Sequence, residues 1–243
     1  MTALVIVVMC VFITLGRWQW GRGEAKDVLA AEFAQGGGAV VTLTSQVTRE
    51  LPRYAQVRVR GEWEPDRQFL LDNRTRDGRA GYEVLTPLRL EDGRRVLVNR
   101  GWVPFGGRRD QLPEVVSGLP RGAATTVQGR LDELPTAGLA SGRAAPATRG
   151  AWPRVTSFPS PAELAAALAG SDAGTAVEAA TEVRLEPRVL LMDAAEPAGY
   201  RRDWRPFARG PEQNYSYALQ WWSFGVLLLV LYGVLNTKRK DDT

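Results

Sequence analysis

Two long uncharged segments, one near each end of the chain, constrain its fold more than any other feature. Residues 217–235 contain no charge and one amide, that of Gln220. As a helix these 19 residues would extend about 28 Å, close to the thickness of the hydrocarbon core of a bilayer. A buried helix of a water-soluble core is rarely so uniformly apolar. The pattern predicts a transmembrane helix over residues 214–236 and a polar tail over residues 237–243.

The N-terminal segment, residues 3–15, is also uncharged and predicts a transmembrane helix over residues 1–20. A secretory signal peptide is the alternative, because its apolar region has a similar length. No lysine or arginine precedes the segment and no small-residue cleavage site follows promptly, so we favour an uncleaved span. Aromatic and cationic residues typical of a membrane interface flank the two segments: Arg17, Trp18, Trp20, Tyr217, Trp221 and Trp222.

Residues 21–210 are polar and long enough for one sizeable domain. The whole chain has 31 basic and 27 acidic residues. Nucleic-acid-binding proteins typically carry an excess of basic residues, which this nearly balanced chain does not show. We therefore expect no nucleic-acid partner.

The sequence of the central domain has the periodicity of β-strands. In YAQVRVRG, residues 54–61, apolar and polar side chains alternate, which predicts a half-buried strand. Two further runs are joined through Asp92 and Gly93, a strong hairpin signal, and Asp77-Gly78 marks a turn just upstream. In VRLEPRVLLM, Pro187 should break a strand or confine it to a sheet edge. We therefore predict an antiparallel, barrel-like β-rich (α+β) domain between two transmembrane helices.

Two helices are predicted outside the apolar segments. Ser160, Pro161 and Glu163 form a capping-box pattern that begins a helix, and Gly170 should end it. The stretch EAKDVLAAEFAQGGG should continue the first span as a helix that ends at Gly36.

The composition offers little material for a catalytic or metal site. The chain has no histidine, and its single cysteine, Cys10, lies in the first apolar segment. The commonest general base and transition-metal ligand are therefore missing, and thiolate chemistry in the central domain is excluded. The NRGW stretch contains Arg100 and Trp102 and has two interpretations. It is either a loop whose polar residues stabilise a bend, or a contact with a partner protein. We predict no catalytic, cofactor or metal residue.

Four motifs occur in a characteristic order: LGRWQW, RVRGEWEP, GYEVLTPLRLEDGRRVLVNRGWVP and NYSYALQWWSFGVLLLVLYGV. In this order they resemble the Surfeit-locus-one family of cytochrome c oxidase biogenesis proteins. Arginine outnumbers lysine 28 to 3, as in GC-rich coding, which suggests an actinobacterial member. The resemblance covers both ends and the first half of the central domain well, and residues 123–211 loosely.

The resemblance implies a membrane protein with its domain outside the cytoplasm and both termini inside. Charge alone leaves this topology open, because seven cations near the spans on the domain side oppose Lys238, Arg239 and Lys240. The resemblance also implies a role without catalytic turnover, in which the family helps haem a enter, or stay ordered in, the oxidase.

One position departs from the family pattern. Many relatives have a histidine, proposed as a haem ligand, where this chain has Asn214. An amide is not a usual axial ligand of haem iron, and a tyrosine ligand from Tyr215 or Tyr217 would be unusual. We therefore expect that this chain holds no haem itself.

We expect the chain to be an assembly factor or accessory subunit of haem-a-type cytochrome c oxidase in the plasma membrane. One form of this hypothesis places it within a respiratory supercomplex. A transient haem a chaperone is the alternative, and an enzyme of the outer membrane face is a third. The expected partner contacts are Gln220, Gly225 and Gly233 in the second span, with Arg100 and Trp102 in the domain. The cationic tail, Lys238, Arg239 and Lys240, should bind anionic lipid.

Overall fold

A computed structural model describes residues 2–36, 38–44, 48–116, 118–137, 142–172, 183–207 and 209–241. The chain divides into two units: Met1–Ala34 with Arg205–Thr243, here called the helical hairpin, and Gln35–Trp204, the barrel domain.

Two long helices build the helical hairpin: α1, Thr2–Gln35, and α3, Pro211–Asp241. Each contains a segment long and apolar enough to cross a membrane. As the sequence predicts, α1 continues without a break beyond its apolar segment and ends just before Gly36. Most large apolar side chains of both helices are exposed, which suits contact with lipid rather than with water.

The described part of the barrel domain has eight strands and one α-helix. They are β1 (Val41–Thr42), β2 (Gln56–Trp63), β3 (Phe69–Arg76), β4 (Arg79–Leu90), β5 (Arg95–Pro104), β6 (Ala124–Asp132), β7 (Arg154–Thr156), α2 (Pro161–Asp172) and β8 (Leu185–Met192), with a short 3₁₀ helix at Thr48–Glu50. The turns at Asp77-Gly78 and Asp92-Gly93 join β3 to β4 and β4 to β5, as predicted, and both glycines have positive φ.

Strands β2, β6, β8, β5 and β4 pair in that order, and β4 returns to β2 and closes the ring. Closure occurs where Gly61–Trp63 of β2 pair with Leu88–Leu90 of β4. The barrel prediction is confirmed, but the ring is mixed rather than antiparallel, because β5 and β8 run parallel. In the described chain β3 extends the sheet beside β4, and β1 and β7 are short edge strands.

Alternation of side chains along the strands builds the barrel core. Val57 and Val59 of β2 are fully buried, whereas Arg58 and Arg60 point outward to solvent. On β5, Val96 and Val98 join the same core, while Leu97 faces a second apolar layer beneath α2. Each face of β5 is therefore covered, which explains why this strand is buried along nearly its whole length.

Strand β8 corrects the expectation for Pro187. The strand passes through this proline and lies between β5 and β6, not at an edge. The ladder to β5 is irregular between Leu185 and Val189, and the described pairing with β6 begins only at Val189. Pro187 therefore sits where the ladder needs no donor from its nitrogen.

Helix α2 confirms the predicted start but not the predicted end. Ser160 N–H donates to Oε2 of Glu163 at 2.8 Å, and Glu163 N–H donates to Oγ of Ser160 at 3.3 Å, which completes the capping box. The helix continues through Gly170 to Asp172. A Cβ at Gly170 would overlap the carbonyl of Thr148, so close packing accounts for this glycine better than a helix stop.

Candidate functional site in the helical hairpin

The two helices of the hairpin lie antiparallel with interdigitating side chains. Thr2 Oγ1 lies 2.8 Å from the hydroxyl of Tyr232, so the start of α1 meets the end of α3. At the other end of the hairpin, Lys26 Nζ donates to the carbonyl of Arg209 at 2.9 Å. Contact therefore extends over nearly seven turns of α1, at 3.6 residues per turn.

Glycines of α1 accept aromatic rings of α3. A Cβ at Gly23 would lie 2.6 Å from the ring of Tyr215, and one at Gly16 would overlap the indole of Trp222. Real Cβ atoms do not come this close, so these two positions require glycine while the helices keep their spacing. The sequence analysis did not single out either residue, although their spacing of seven residues is a signal for one helix face.

A partly buried polar cluster joins the helices at the end of the hairpin that leads to the barrel domain. Lys26 Nζ donates to Oδ1 of Asn214 at 2.7 Å, and Nδ2 of Asn214 donates to Oε1 of Gln19 at 2.8 Å. Lys26 also lies 5.9 Å from the ring centre of Phe207. We call Gln19, Lys26 and Asn214 the polar clasp.

The polar clasp fixes both ends of the Asn214 amide. The oxygen accepts from an ammonium group, the nitrogen donates to a second amide, and only 8% of the residue is exposed. The arrangement stabilises the helix pair and leaves the amide poorly placed to turn toward an added ligand.

Aromatic side chains pack on the clasp. The ring centre of Trp20 lies 4.6 Å from that of Tyr215 and 5.6 Å from that of Trp222. Trp20 Nε1 donates to Glu24 at 2.9 Å, and the hydroxyl of Tyr215 donates to Asp27. These polar tips satisfy their own hydrogen bonds while the rings hold the two helices together.

The residues expected at the membrane interface fall into two groups. Arg17, Trp18 and Tyr217 are exposed, with 53% of Trp18 and 45% of Tyr217 accessible. Trp222 is half-buried against Gly16, and Trp221 stacks on Phe12 with ring centres 5.9 Å apart. The second group therefore packs the helices together, and the position of these residues at the membrane interface stays a prediction.

The structure separates three residues that the sequence analysis placed on one docking face. A Cβ at Gly225 would lie 3.2 Å from Sδ of Met9, so Gly225 faces α1 and is buried. Gly233 has open space around it, and Gln220 is exposed about 140° around the helix from Gly225. Gly225 is therefore part of the hairpin's own contact, and the expected single face is wrong.

Gln220 lies instead between two serines on the side of α3 away from α1. Ser216, Gln220 and Ser223 follow the spacing i, i+4, i+7, and all three are exposed. The hydroxyls of Ser216 and Ser223 donate to the carbonyls of Glu212 and Leu219 at 2.9 and 2.8 Å. Among the described residues, the Gln220 amide has no such partner. We call these three residues the polar stripe.

Arg100 and Trp102 lie in the barrel domain and face inward. Only 1% of Arg100 and 6% of Trp102 are exposed. The Arg100 guanidinium donates to the carbonyl of Ala198 at 2.9 Å and to that of Val115 at 2.7 Å, and it lies 4.9 Å from the ring centre of Tyr200. Burial lowers the pKa of Arg100, and Tyr200 opposes that shift. Trp102 Nε1 donates to the carbonyl of Arg74 at 2.9 Å.

These positions correct the expectation that Arg100 and Trp102 contact a partner. Both side chains are buried and donate hydrogen bonds within the domain. Arg100 connects β5 to the two segments that contain Ala198 and Val115. The loop alternative does not describe them either, because both residues belong to strand β5 and Arg100 donates to main-chain carbonyls.

The cationic tail is helical, because α3 extends to Asp241. The side chains of Lys238, Arg239 and Lys240 lie outside the described residues. Lipid binding by the tail stays a prediction from the sequence.

The family model and the similar proteins found by comparison all point to the same family. The sequence model of the SURF1 family matches residues 6–226. A SURF1-like protein of Rickettsia felis is 27% identical over 101 residues, 41% of this chain and 44% of the relative. One of Rickettsia bellii is 26% identical over 110 residues, 44% of each chain, and one of Dictyostelium discoideum is 43% identical over 49 residues, 20% of this chain and 18% of the relative.

The matched segments span less than half the length of these curated relatives. The family match is far longer, since it extends from the first apolar segment, through the barrel domain, into the second. On this match, and with the resemblance of the four motifs, the chain belongs to the SURF1 family.

Proposed function

We propose that this membrane protein is a non-catalytic assembly factor or accessory subunit of haem-a-type cytochrome c oxidase. Family membership carries the proposal, because SURF1 proteins are known as cytochrome oxidase assembly factors and the match extends from the first long helix into the second. The protein would support haem a insertion or the stability of the oxidase, including its association in a respiratory supercomplex.

The composition supports a role without catalysis. The whole chain lacks histidine, and its one cysteine lies in α1 among exposed apolar residues. General acid–base catalysis near neutral pH would then depend on side chains of other types whose pKa is strongly shifted toward neutrality. Binding of another protein requires none of these.

The polar clasp favours a partner-binding role over haem transport. Asn214 stands where many relatives have the proposed haem ligand, and its amide is engaged by Lys26 and Gln19. The nearby hydroxyl of Tyr215 donates to Asp27. Turning the Asn214 amide toward iron would break its hydrogen bonds with the partly buried Lys26 and Gln19, which opposes the transient haem a chaperone.

The polar stripe is the surface that we propose for docking on the oxidase. In lipid, an exposed amide gains free energy from a hydrogen-bond partner on a neighbouring helix. The serines beside Gln220 are small, so a neighbouring helix could approach closely. The partner would be a transmembrane helix of the oxidase that carries a donor or acceptor at this depth.

Co-purification tests the assembly proposal and the haem alternative together. The tagged chain is extracted in mild detergent from cells with their own oxidase, and oxidase recovery and the haem a spectrum are recorded. We expect the parent to recover the oxidase and the chain separated from it to show no haem a spectrum. A haem a spectrum of the isolated chain would support the chaperone, and recovery of neither would contradict both.

Substitution of Gln220 tests the docking surface. Gln220→Leu should reduce oxidase recovery several-fold, because a leucine cannot hydrogen-bond across the contact. Val226→Leu is the matched control, since Val226 is exposed on the same helix but lies outside the polar stripe. Equal recovery with both variants would rule out the polar stripe as the docking surface while leaving the assembly role intact.

A further inference from the structure

A cationic surface lies on the side of α1 that faces away from α3. Four exposed residues form this surface: Arg17, Trp18, Gly21 and Arg22. Arg17 lies about one helical turn before Gly21, and Trp18 lies about one turn before Arg22. Gly21 lies roughly 140–160° around the helix from Gly16 and Gly23, which contact α3. Arg17 follows the apolar segment by two residues, so this surface lies at the depth of lipid headgroups when the helix spans a membrane.

The two guanidinium groups on this surface are available to a ligand. Among the described residues, neither Arg17 nor Arg22 has an ion pair or a hydrogen-bond partner. The two nearest carboxylates of the same helix have other partners, since Glu24 accepts from Trp20 and Asp27 accepts from Tyr215. Lys26, the third cation of this segment, is committed to the polar clasp.

Two features give the surface a shape as well as a charge. The Arg22 guanidinium lies 5.1 Å from the ring centre of Trp18, a cation–π contact that limits its rotamers. A Cβ at Gly21 would meet nothing within 4 Å, so the backbone between the two arginines is open. We call the open backbone at Gly21, together with Arg17 and Arg22 on either side of it, the notch.

We propose that this notch binds the phosphate of an anionic phospholipid headgroup. Guanidinium groups donate paired hydrogen bonds that match phosphate oxygens, and an interfacial tryptophan suits the boundary between headgroup and acyl chain. The apolar segment directly before Arg17 would lie along the acyl chains of the same lipid. An acidic protein segment would satisfy the charge but would not use this apolar continuation.

This site is separate from the cationic tail and from docking on the oxidase. Lys238, Arg239 and Lys240 follow the other end of the apolar segment of α3, so the two cationic groups flank opposite ends of the hairpin. The polar stripe is on α3, whereas the notch is on α1.

Native mass spectrometry of the full chain, titrated with phosphatidylglycerol in detergent, measures the binding directly. Each cation near an anionic lipid contributes roughly fivefold to affinity, so Arg17→Gln with Arg22→Gln should weaken binding about 25-fold. Gly21→Leu should also weaken it, because the leucine fills the notch while both charges remain. The tail is unchanged in every variant.

Three comparisons guard the interpretation. Arg49→Gln with Arg79→Gln removes two exposed arginines from the barrel domain and should leave binding unchanged. Millimolar inorganic phosphate should not displace the lipid, since free phosphate lacks the acyl chains. Circular dichroism should show the same helix content for every variant.

Equal lipid binding by the parent and the Arg17/Arg22 variant would overturn the proposal. An equal loss in the Arg49/Arg79 variant would do the same, because net charge rather than the notch would then explain it. Displacement by inorganic phosphate would indicate a bare anion site instead of a lipid site.

Discussion

Arg100 illustrates how a single residue can be misassigned from sequence. In NRGW it resembles a surface recognition residue, yet its guanidinium is buried and donates to the carbonyls of Ala198 and Val115. An arginine supplies several donors in a fixed planar arrangement, which allows one side chain to hold two segments at once. The residue therefore serves the stability of the barrel domain.

Arg100→Lys should destabilise the barrel domain by about 2–4 kcal/mol, because one ammonium cannot replace the planar fork and buried carbonyls lose their donors. Arg121→Gln, which removes an exposed ion pair with Asp66, should leave the free energy of unfolding nearly unchanged. Chemical denaturation followed by tryptophan fluorescence measures both. If Arg100→Lys lowered oxidase recovery without changing stability, Arg100 would be a partner contact after all.

At the scale of elements, close approach depends on where glycines fall. Gly16 and Gly23 receive the rings of Trp222 and Tyr215, whereas Gly21 of the same helix contacts nothing. All three look alike in the sequence. Their difference arises from the helix face on which each lies, which decides whether a side chain there would meet α3 or lipid.

Gly23→Leu should weaken the contact between α1 and α3 by about 1–3 kcal/mol, because the leucine would overlap the Tyr215 ring. Gly21→Leu is the matched control and should leave the contact intact. Cross-linking between Thr2→Cys and Tyr232→Cys by a short bis-maleimide, with Cys10 replaced by alanine, reports the pairing. Efficient cross-linking of the Gly23 variant would show that the helices tolerate the leucine.

For the whole molecule, two spans require that both termini lie on one side of the membrane and the barrel domain on the other. We propose both termini in the cytoplasm, from the family resemblance and the cations at 238–240. Other cations follow the first apolar segment, from Arg17 onward, and precede α3, so charge alone does not decide the topology.

An impermeant thiol reagent applied to intact cells tests this topology. Ala147→Cys, at an exposed position of the barrel domain, should be labelled, and Thr237→Cys should be labelled only after the membrane is permeabilised. Both variants carry Cys10→Ala, so that the native thiol adds no background. The reverse pattern would place the barrel domain in the cytoplasm and invert the topology.

Much of the architecture follows from local patterns in the sequence. The uncharged segments predicted both long helices, the alternation around Val57 and Val59 predicted β2 with its correct buried face, and the Asp-Gly pairs predicted two turns. The capping box predicted the start of α2. In each of these, the free energy that decides the structure comes from residues within a few positions of one another.

Tertiary packing decided the rest. The parallel pairing of β5 with β8, the closure of β2 on β4, the inward Arg100 and the contact of Gly225 with α1 all join residues far apart in the chain. A periodic pattern shows that a residue has a buried side, but not which distant element covers it. That choice depends on how complementary surfaces pack, and only the folded chain brings those surfaces together.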